Sequence, residues 1–320
     1  MKKIGVLTSG GDAPGMNAAI RAVVRYGCEH DMEVYGILRG YNGLMQGDMY
    51  QMNLRSVSNI INRGGTILYS ARSEEFKTEA GMQKAIAVCK EVGLDGIVVI
   101  GGDGSFKGAR DLSLRGIPCI GVPGTIDNDI GCCDYTIGYD TAMNTVREMV
   151  DRLRDTTESH DRCSVVEVMG RKAGYIALYA GIACGATTIL IPELEYDLQR
   201  DVIDRMRKTQ KTGKKHFIIV VAEGIGKVDE MAKKIQDYTG VETRATVLGH
   251  VQRGGTPTVR DRVNASLMGA RAVQLLQEGK SNRVVAMKKD DIVDYDIFDA
   301  LNMTKTLDID LYQIAHDISI

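Results

Sequence analysis

Two carboxylates, a hydroxyl and a carboxamide lie close together in the segment Pro123–Asp129, whose sequence is Pro-Gly-Thr-Ile-Asp-Asn-Asp. The segment follows Ile117–Val122, a mainly apolar run that predicts a buried strand. The Pro-Gly pair predicts a tight turn at the end of that strand, and parallel α/β sheets bind ligands at the carboxyl ends of their strands. An aspartate placed there could accept a proton from a hydroxyl group or hold a metal ion. The alternative is an Asx-rich turn whose side chains bind their own backbone.

A second candidate is the glycine-rich segment Gly101–Ser105, which follows the apolar run Gly96–Ile100 and precedes a predicted helix. Glycines let backbone N–H groups approach a phosphate, and a helix N-terminus favours an anion. Asp103 is placed to hold a magnesium ion on that phosphate. The alternative is a structural strand-to-helix turn in which Asp103 caps the helix. The sequence contains no Walker loop, so this motif by itself predicts phosphate binding and no more.

Thr8–Gly15 is another glycine-rich loop between a predicted strand and a predicted helix. Two such loops and a carboxylate-rich strand end together suggest phosphoryl transfer, which requires a metal ion, positive charge on the moving group and a base for the accepting hydroxyl. Arg72 and Arg171 are candidate cations, because a planar guanidinium matches phosphate oxygens. Asp127 is the candidate base. For each arginine taken singly, the alternative is a solvated surface charge.

Short apolar runs alternate with segments of helical periodicity along the chain, which predicts the α/β class with mainly parallel sheets covered by helices. Because the pattern restarts after the segment that contains Asp127, we expect two doubly wound, Rossmann-like lobes with the chain crossing between them more than once. Strands are predicted at residues 4–7, 33–38, 96–100, 117–122, 164–168, 187–191, 216–222 and 283–287. Helices are predicted from about residue 16 and at 54–62, 79–92, 105–114, 139–153, 173–183, 198–211, 227–238 and 259–278, the last being the longest.

The composition is that of an ordinary globular protein and argues against several functions. A chain of 320 residues is long enough for about two domains, and its net charge of −2 gives no reason to expect nucleic-acid or membrane partners. No stretch approaches the ~20 apolar residues of a membrane span, and the run Ile4–Leu7 is too short for a signal peptide. We therefore expect a cytoplasmic protein with reduced thiols at its seven cysteines. The five histidines lack the spacing of a zinc site.

Five motifs in a fixed order carry a family resemblance: Thr8–Asn17, Gly101–Ser105, Pro123–Asp129, Met169–Arg171 and Gly249–Gly255. Together they resemble the bacterial ATP-dependent 6-phosphofructokinase (phosphofructokinase A) family over nearly the whole chain. The resemblance implies a glycolytic kinase that transfers the γ-phosphoryl group of ATP to the 1-hydroxyl of fructose 6-phosphate, with Mg²⁺ as cofactor. It also implies an allosterically regulated homotetramer whose active and effector sites are shared between subunits.

The resemblance assigns the chemistry to a few residues. Asp127 would take the proton of the hydroxyl, with Thr125 and Asp129 completing its loop, and Arg171 would stabilise charge on the transferring group. Asp103 would hold Mg²⁺. The ATP site would be lined by Gly11, Arg72, Ser73, Gly102, Asp103, Gly104 and Ser105.

The sugar 6-phosphate would be met by a group of basic side chains, Arg162, Arg244, His250 and Arg253. In the family, the positions matching Arg162 and Arg244 belong to a neighbouring subunit, so the active site would need an oligomer. For His250 the alternative is a buried structural histidine. The whole sugar site would comprise Thr125, Ile126, Asp127, Arg162, Met169, Gly170, Arg171, Glu223, Arg244, His250, Val251, Gln252 and Arg253. The implied lobes are a larger ATP-binding lobe of residues 1–138 plus 251–301 and a smaller fructose 6-phosphate-binding lobe of residues 139–250 plus 302–320.

Two glycines bear on the identity of the phosphoryl donor. Pyrophosphate-dependent relatives typically carry aspartate at the position of Gly104 and lysine at that of Gly124, where bulkier side chains could occupy space that a nucleotide needs. The two glycines therefore favour ATP over the alternative of a pyrophosphate-dependent enzyme. A non-catalytic subunit that senses nucleotides or sugar phosphates is a further alternative. Loss of Asp103, Asp127 or Arg171 would mark such a protein, and all three are present.

An effector site for ADP or phosphoenolpyruvate is implied at a subunit interface rich in basic residues. Its matching positions are Arg21, Ala22, Val23, Val24, Arg25, Arg55, Arg154, Gly185, Lys211, Lys214, Lys215 and His216. Three positions depart from the family pattern: Asn59 replaces an aspartate, Thr187 replaces a glutamate that would help hold the magnesium of ADP, and Thr212 replaces a basic residue. We therefore expect weak activation by ADP, and the sequence leaves open whether anion binding is kept.

Overall fold

Buried apolar strands that alternate with helices build two separate sheets in this chain. The computed structural model describes residues 2–319, which fall into two compact units. The first unit comprises the chain up to Ile126, Ile130–Thr141 and Arg253–Lys305. The second unit comprises Asp127–Asp129, Ala142–Gln252 and the chain from Thr306. The chain therefore passes between the units several times.

The elements follow in chain order. The strands are β1 (Lys3–Ser9), β2 (Glu33–Ile37), β3 (Met49–Met52), β4 (Gly96–Gly101), β5 (Cys119–Pro123), β6 (Cys163–Val168), β7 (Thr188–Leu190), β8 (Phe217–Ala222), β9 (Thr243–Val247), β10 (Arg283–Lys288) and β11 (Asp291–Asp296). The helices are α1 (Met16–Glu29), α2 (Tyr41–Gln46), α3 (Glu79–Val92), α4 (Asp103–Ser113), α5 (Tyr139–Ser159), α6 (Tyr175–Ala183), α7 (Asp204–Gln210), α8 (Val228–Thr239), α9 (Val259–Gln277), α10 (Ile297–Asn302) and α11 (Ile309–Asp317).

The first unit contains a seven-stranded sheet in the order β11-β10-β5-β4-β1-β2-β3. Its central strands pair in parallel, whereas the edge strands β3 and β11 run antiparallel to their neighbours. Every residue of β4 and β5 is buried, as expected of parallel strands covered on both faces. The pairing of Ser9 with Gly101, and of Gly101 with Pro123, brings the carboxyl ends of β1, β4 and β5 side by side.

Helices α1 and α9 pack closely against each other in the first unit. The apolar face of α1 contributes Ile20, Val23 and Val24, all fully buried. A Cβ atom at Gly269 would lie 2.7 Å from the carbonyl oxygen of Ala19, so α9 requires glycine there for its close approach to α1. This contact fixes the position of α9, whose first turn is used by the site below.

The second unit contains a four-stranded sheet in the order β7-β8-β6-β9, with all neighbours parallel. Its strands β6 and β8 bury apolar side chains such as Val165, Phe217 and Ile219 against α8. Val168 pairs with Ala222, so the carboxyl ends of β6 and β8 are adjacent. The segment Met169–Arg171 follows β6, and Glu223 follows β8.

The predicted class, α/β with mainly parallel sheets, is confirmed, but several local predictions are wrong. Residues 54–62 form turns and not a helix. Their backbone is diverted because the side-chain oxygen of Asn53 accepts hydrogen bonds from the amides of Arg55 and Ser56, at 2.8 and 3.2 Å, and Asn59 has a φ of +56°. The longest helix among the described residues is α5, with 21 residues, and not α9, with 19.

The predictions also missed elements at the margins of the sheets. The edge strands β3, β9 and β11 and the short helices α2, α10 and α11 were not predicted. The helix predicted at residues 198–211 begins with a π-helical turn over Gln199–Ile203 and continues as α7.

Burial also determines the protonation state of the cysteine thiols. All seven are free thiols, and only Cys28 is partly exposed. Burial raises the pKa of Cys119 and raises that of Cys163 to about 12. These thiols are therefore protonated and unreactive at neutral pH. Separately, no helix within residues 2–319 combines the length and the apolar content that crossing a membrane requires.

Candidate active-site loops

The strand-end loops of the first unit are joined by direct hydrogen bonds. The Ser105 hydroxyl donates to the carbonyl oxygen of Ser9 at 3.1 Å, and the Gly124 amide donates to that of Gly101 at 3.0 Å. A Cβ atom at Gly101 would lie only 2.5 Å from the Ser9 carbonyl oxygen, so the strands can approach this closely only with glycine there. The two glycine-rich loops and the start of the Pro123–Asp129 segment therefore lie together.

Gly101–Ser105 turns from β4 directly into α4. Gly102 is the N-cap and Asp103 is the first helical residue, with an exposed side chain, so Asp103 does not cap the helix. The amide end of this helix carries partial positive charge and favours an anion. A Cβ atom at Gly104 would meet no atom within 4 Å, whereas one at Gly124 would lie 3.0 Å from Cγ2 of Ile100. A side chain at Gly104 would therefore extend into open space beside the loop.

The Thr8–Gly15 loop is held by a segment without helix or strand, residues 63–70. The Thr8 hydroxyl donates to the Tyr69 carbonyl oxygen and the Ser70 hydroxyl to the Gly10 carbonyl oxygen, both at 2.6 Å. The Asn17 side chain donates to the Arg63 carbonyl oxygen at 3.1 Å. A pocket opens between the loop and this segment, lined by Gly10, Gly11, Asp12, Thr66, Tyr69 and Ser70.

Arg253 lies against this same loop within the first unit. Its guanidinium donates to the Asp12 carbonyl oxygen at 3.0 Å, and a Cβ atom at Gly11 would lie 2.5 Å from its Nη1. The structure thus places a residue expected at the sugar 6-phosphate beside a residue expected at the nucleotide. Gly11 leaves the space that the guanidinium occupies.

Two aromatic residues that the sequence analysis did not single out lie beside α4. The Tyr41 hydroxyl donates to the Ser105 carbonyl oxygen at 2.5 Å, and its ring stacks on Phe76 with centroids 4.0 Å apart. Burial raises the pKa of Tyr41 well above its ordinary value. Of the residues expected at ATP, Arg72 is exposed, and the Ser73 hydroxyl accepts a hydrogen bond from the Phe76 amide at 3.2 Å. Tyr41 and Phe76 thus connect the turn at Ser73 to the first turn of α4.

The Pro123–Asp129 segment carries the chain from the first unit into the second. The Thr125 amide donates to the Ile137 carbonyl oxygen at 3.1 Å, and the Thr136 hydroxyl donates to the Thr125 carbonyl oxygen at 2.6 Å. Ile126 is fully buried, and Asp127, in the second unit, is only 5% exposed. Burying a carboxylate is costly, so the position of Asp127 requires a specific polar environment.

In the second unit, two side chains shape the loop after β6. Glu223 accepts hydrogen bonds through one carboxylate oxygen from the amides of Gly170, at 3.1 Å, and Arg171. Gln252 is fully buried and accepts from the Met169 amide at 3.1 Å. Arg171 has a φ of +58° and an exposed side chain. Five residues expected at the sugar are thereby brought together, two of them as supports of the backbone.

Arg162, which directly precedes β6, and Arg244, on the neighbouring strand β9, share one carboxylate. Glu242, which the sequence analysis did not identify, lies 2.9 Å from Nε of Arg162 and 2.8 Å from Nη2 of Arg244. Hydrogen bonds from Arg162 and then Arg244 lower the pKa of Glu242. His250 and Val251 are exposed on the 3₁₀ turn Gly249–Arg253. The alternative of a buried structural histidine is therefore wrong.

Residues expected at the effector site occur in both units. In the first, Arg21 and Arg25 share a face of α1, and burial, with a smaller effect of Arg25, lowers the pKa of Arg21. Ala22 is half-buried, and the side chains of Val23 and Val24 are fully buried in the core. Arg55 and the substituted Asn59 are exposed on the turns after β3. The charged and polar members of this set are thus at least partly exposed, whereas Val23 and Val24 are not.

In the second unit, Thr187 lies among cations. The Lys214 ammonium donates to the Thr187 hydroxyl at 3.3 Å, and Arg154 donates to the carbonyl oxygen of Cys184, next to Gly185. Burial, then Arg154 and Arg205, lower the pKa of Lys214. Arg205, a residue the sequence analysis missed, is nearly buried and donates to the Thr187 carbonyl oxygen at 2.7 Å. Around the Gly213 turn, His216 is half-buried, and the exposed members are Lys211, Thr212 and Lys215.

Comparisons with known proteins agree on one family. The family model described as Phosphofructokinase matches residues 3–276. The chain is 58% identical to an ATP-dependent 6-phosphofructokinase of Bacillus cytotoxicus and 56% identical to one of Brevibacillus brevis, in each case over the whole of both chains. It superposes on the structure of phosphofructokinase from Saccharomyces cerevisiae with a TM-score of 0.89 and 35% identity, covering all of this chain and 48% of that one.

The buried tyrosine hydroxyl gives a prediction for stability. Tyr41→Phe removes the donor to the Ser105 carbonyl oxygen without changing the ring stacking, so we expect a loss of about 1–2 kcal/mol in unfolding free energy. Chemical denaturation of both proteins measures it. Tyr238→Phe, which alters a 56%-exposed tyrosine, is the matched control and should unfold like the wild type. Equal unfolding midpoints for the two variants would contradict the assignment.

Proposed function

The chain belongs to the phosphofructokinase family, and from this premise we propose that it is an ATP-dependent 6-phosphofructokinase. The reaction transfers the γ-phosphoryl group of ATP to the 1-hydroxyl of fructose 6-phosphate and gives fructose 1,6-bisphosphate and ADP. The observation that carries the proposal is the register of β1, β4 and β5, which collects two glycine-rich phosphate loops and the Thr125 turn at one edge of a sheet. A glycolytic role and a cytoplasmic location are proposed with this function.

The residues present fit a magnesium ion that arrives with ATP. Asp103 offers an exposed carboxylate in the first turn of α4, and Mg²⁺ commonly binds one or two carboxylates together with substrate phosphates. Within residues 2–319 no three acidic, cysteine or histidine side chains form a cluster that could hold a metal, and this mode of binding needs none. When bound, the ion neutralises charge on the phosphates. We assign to Gly11, Gly102, Gly104 and Ser105 the close approach of the backbone to those phosphates.

Asp127 is proposed as the base for the accepting hydroxyl. Its low exposure, at 5%, supports the assignment, because a general base must be held within hydrogen-bond reach of the proton that it takes. Arg171 is proposed to stabilise charge on the transferring group, and Glu223 supports this role by fixing the Arg171 amide. Thr125 and Asp129 frame the same loop. Arg72 and Ser73 are assigned to the nucleotide.

The sugar site is proposed at the residues around Met169–Arg171, with Arg162, Arg244 and His250 binding the 6-phosphate. Glu242 forms ion pairs with both arginines, which supports a role in holding them close together. Arg253, which lies on Gly11 and Asp12, is retained in the proposal as a phosphate ligand. A homotetramer, with Arg162 and Arg244 given to a neighbouring subunit, is part of the proposal, as is the assignment of the first unit to ATP and the second to the sugar.

The effector site is proposed for ADP and phosphoenolpyruvate. Lys214 and Arg154 around Thr187 support retention of anion binding. A threonine hydroxyl cannot replace the negative charge of a glutamate near a metal ion. ADP, which binds with magnesium, should therefore lose more affinity than an anion without metal.

The phosphoryl donor tests the proposed function directly. In a coupled assay with fructose 6-phosphate we expect turnover with ATP and little or none with pyrophosphate. Gly104→Asp, whose Cβ atom meets no neighbour within 4 Å, should fold normally and raise the KM for ATP. A pyrophosphate rate comparable to the ATP rate in the wild type would overturn the donor assignment.

The base assignment is tested by Asp127→Ser. We expect kcat to fall by about 10²–10⁴-fold, because a positioned general base contributes that much, while calorimetry shows fructose 6-phosphate binding largely intact. Asp237→Ser, at an exposed carboxylate on α8, is the control and should keep wild-type kcat. Retained activity in Asp127→Ser would remove Asp127 from the role of base.

Allosteric regulation is tested by fructose 6-phosphate saturation curves with and without ADP and phosphoenolpyruvate. We expect ADP to shift the wild-type curve little. Thr187→Glu places a carboxylate beside Lys214, and it should increase the effect of ADP. A large ADP effect in the wild type would contradict the expected weakness of the site.

A further inference from the structure

Asp261, in the first turn of α9, is a fully buried carboxylate that the proposed chemistry does not use. Both of its oxygens accept hydrogen bonds from one short segment of the first unit, residues 136–141. Oδ1 accepts from the Gly138 amide at 2.9 Å. Oδ2 accepts from the Thr141 amide at 2.8 Å and from the Thr141 hydroxyl at 2.5 Å. The Thr141 hydroxyl in turn accepts from the Thr258 amide at 3.1 Å, so the segment is fixed to the start of α9 at Gly138 and at Thr141.

The segment that Asp261 holds is the support of the catalytic turn. The Ile137 amide donates to the Pro123 carbonyl oxygen at 2.9 Å, and the Thr125 amide donates to the Ile137 carbonyl oxygen at 3.1 Å. Gly124 and Ile137 form a parallel bridge. The segment therefore extends the sheet as a short partner of Pro123–Thr125. Asp127 follows that turn by two residues.

The same segment also packs against the Thr8–Gly15 loop. A Cβ atom at Gly138 would lie 2.7 Å from Cβ of Ala13, and one at Gly15 would lie 2.7 Å from Cγ2 of Ile137 and 3.5 Å from Cβ of Asp261. Both glycines have positive φ, +100° and +106°. These contacts leave no room for the segment to shift without moving the glycine-rich loop. One buried carboxylate thus supports, through this segment, two loops: one is assigned to ATP and the other to fructose 6-phosphate.

We propose that Asp261 is a positioning residue for phosphoryl transfer, which sets the Thr8–Gly15 loop and the Thr125 turn in register through the segment 136–141. Asp261 touches neither substrate. The inference rests on the proposed function for the reaction that it serves. Its effect is on alignment, and a misplacement of about 1 Å far from the chemistry can cost about 10²-fold in rate.

The energetics of the carboxylate support a functional role. Burial raises the pKa of Asp261 to about 6, against the opposing hydrogen bonds from Thr141 and Gly138 and with a further increase from Asp140. Because the folded pKa lies above the ordinary value, ionised Asp261 lowers the stability of the fold as the pH rises through that interval. The ionised form is therefore not kept for stability. Three donors in fixed positions nevertheless require two acceptor oxygens, which the carboxylate supplies.

Two variants test the proposal. Asp261→Asn replaces one acceptor oxygen by a donor, and Thr141→Val removes one of the three donors and keeps the shape of the side chain. We expect kcat to fall about 10- to 100-fold in Asp261→Asn and less in Thr141→Val, with the KM values for ATP and fructose 6-phosphate changed much less. Thr141→Ser keeps the hydroxyl and should restore kcat. If Asp261→Asn does not fold, the Thr141→Val and Thr141→Ser pair decides the question.

Asp95→Asn is the matched control. The Asp95 carboxylate also accepts backbone hydrogen bonds, from Lys2 and Lys3 at 2.5 and 3.0 Å, but at the amino end of β1 and β4. It should leave kcat and both KM values unchanged. Wild-type kcat in Asp261→Asn, or in Thr141→Val where Asp261→Asn does not fold, would overturn the positioning role, as would a loss in Thr141→Val that Thr141→Ser does not restore. A wild type without fructose 6-phosphate kinase activity would instead refute the proposed function.

Discussion

Hydrogen-bonded register between β1, β4 and β5 is the constraint on which the first unit depends. Ser9 pairs with Gly101, and Gly101 pairs with Pro123, so three strands end at the same level. The register requires glycine at 101, where any Cβ atom would meet the Ser9 carbonyl oxygen. Because the strands end together, the loops that follow must share one edge of the sheet. The relative positions of these loops are thus determined by backbone pairing.

The second unit also places loops side by side at the carboxyl ends of adjacent strands. Here β6 and β8 end side by side, and the loop after β6 is shaped by side chains in addition to a close glycine contact, since a Cβ atom at Gly170 would clash with the Ala173 carbonyl oxygen. Glu223, which directly follows β8, binds the amides of Gly170 and Arg171. A charge-assisted bond of this kind can hold Arg171 at a positive φ, which is costly for a residue with a side chain.

The extent to which the sequence predicts this structure follows from the range of the interactions involved. Buried parallel strands and glycine turns are local patterns, and they were predicted within a few residues. The edge strands β3 and β11 are partly exposed and lack a continuous apolar run, so their periodicity is weak. Tyr41 and Asp261 escaped notice because their partners lie 64 and 123 residues away. Contacts at that separation leave no mark in a local pattern.

Folding stability alone does not explain the buried carboxylate of Asp261. A neutral side chain at this site would avoid the cost of burying a charge, and burial already raises the Asp261 pKa to about 6. A single amide oxygen, however, cannot accept from the Gly138 amide and both Thr141 donors, which approach two separate oxygens. An unsatisfied buried donor costs about 1–3 kcal/mol, and the segment would move to satisfy it. That segment pairs with Thr125 and packs on Ala13, so its movement would displace both loops. The carboxylate therefore lowers the folding stability but keeps the distance between the two loops fixed.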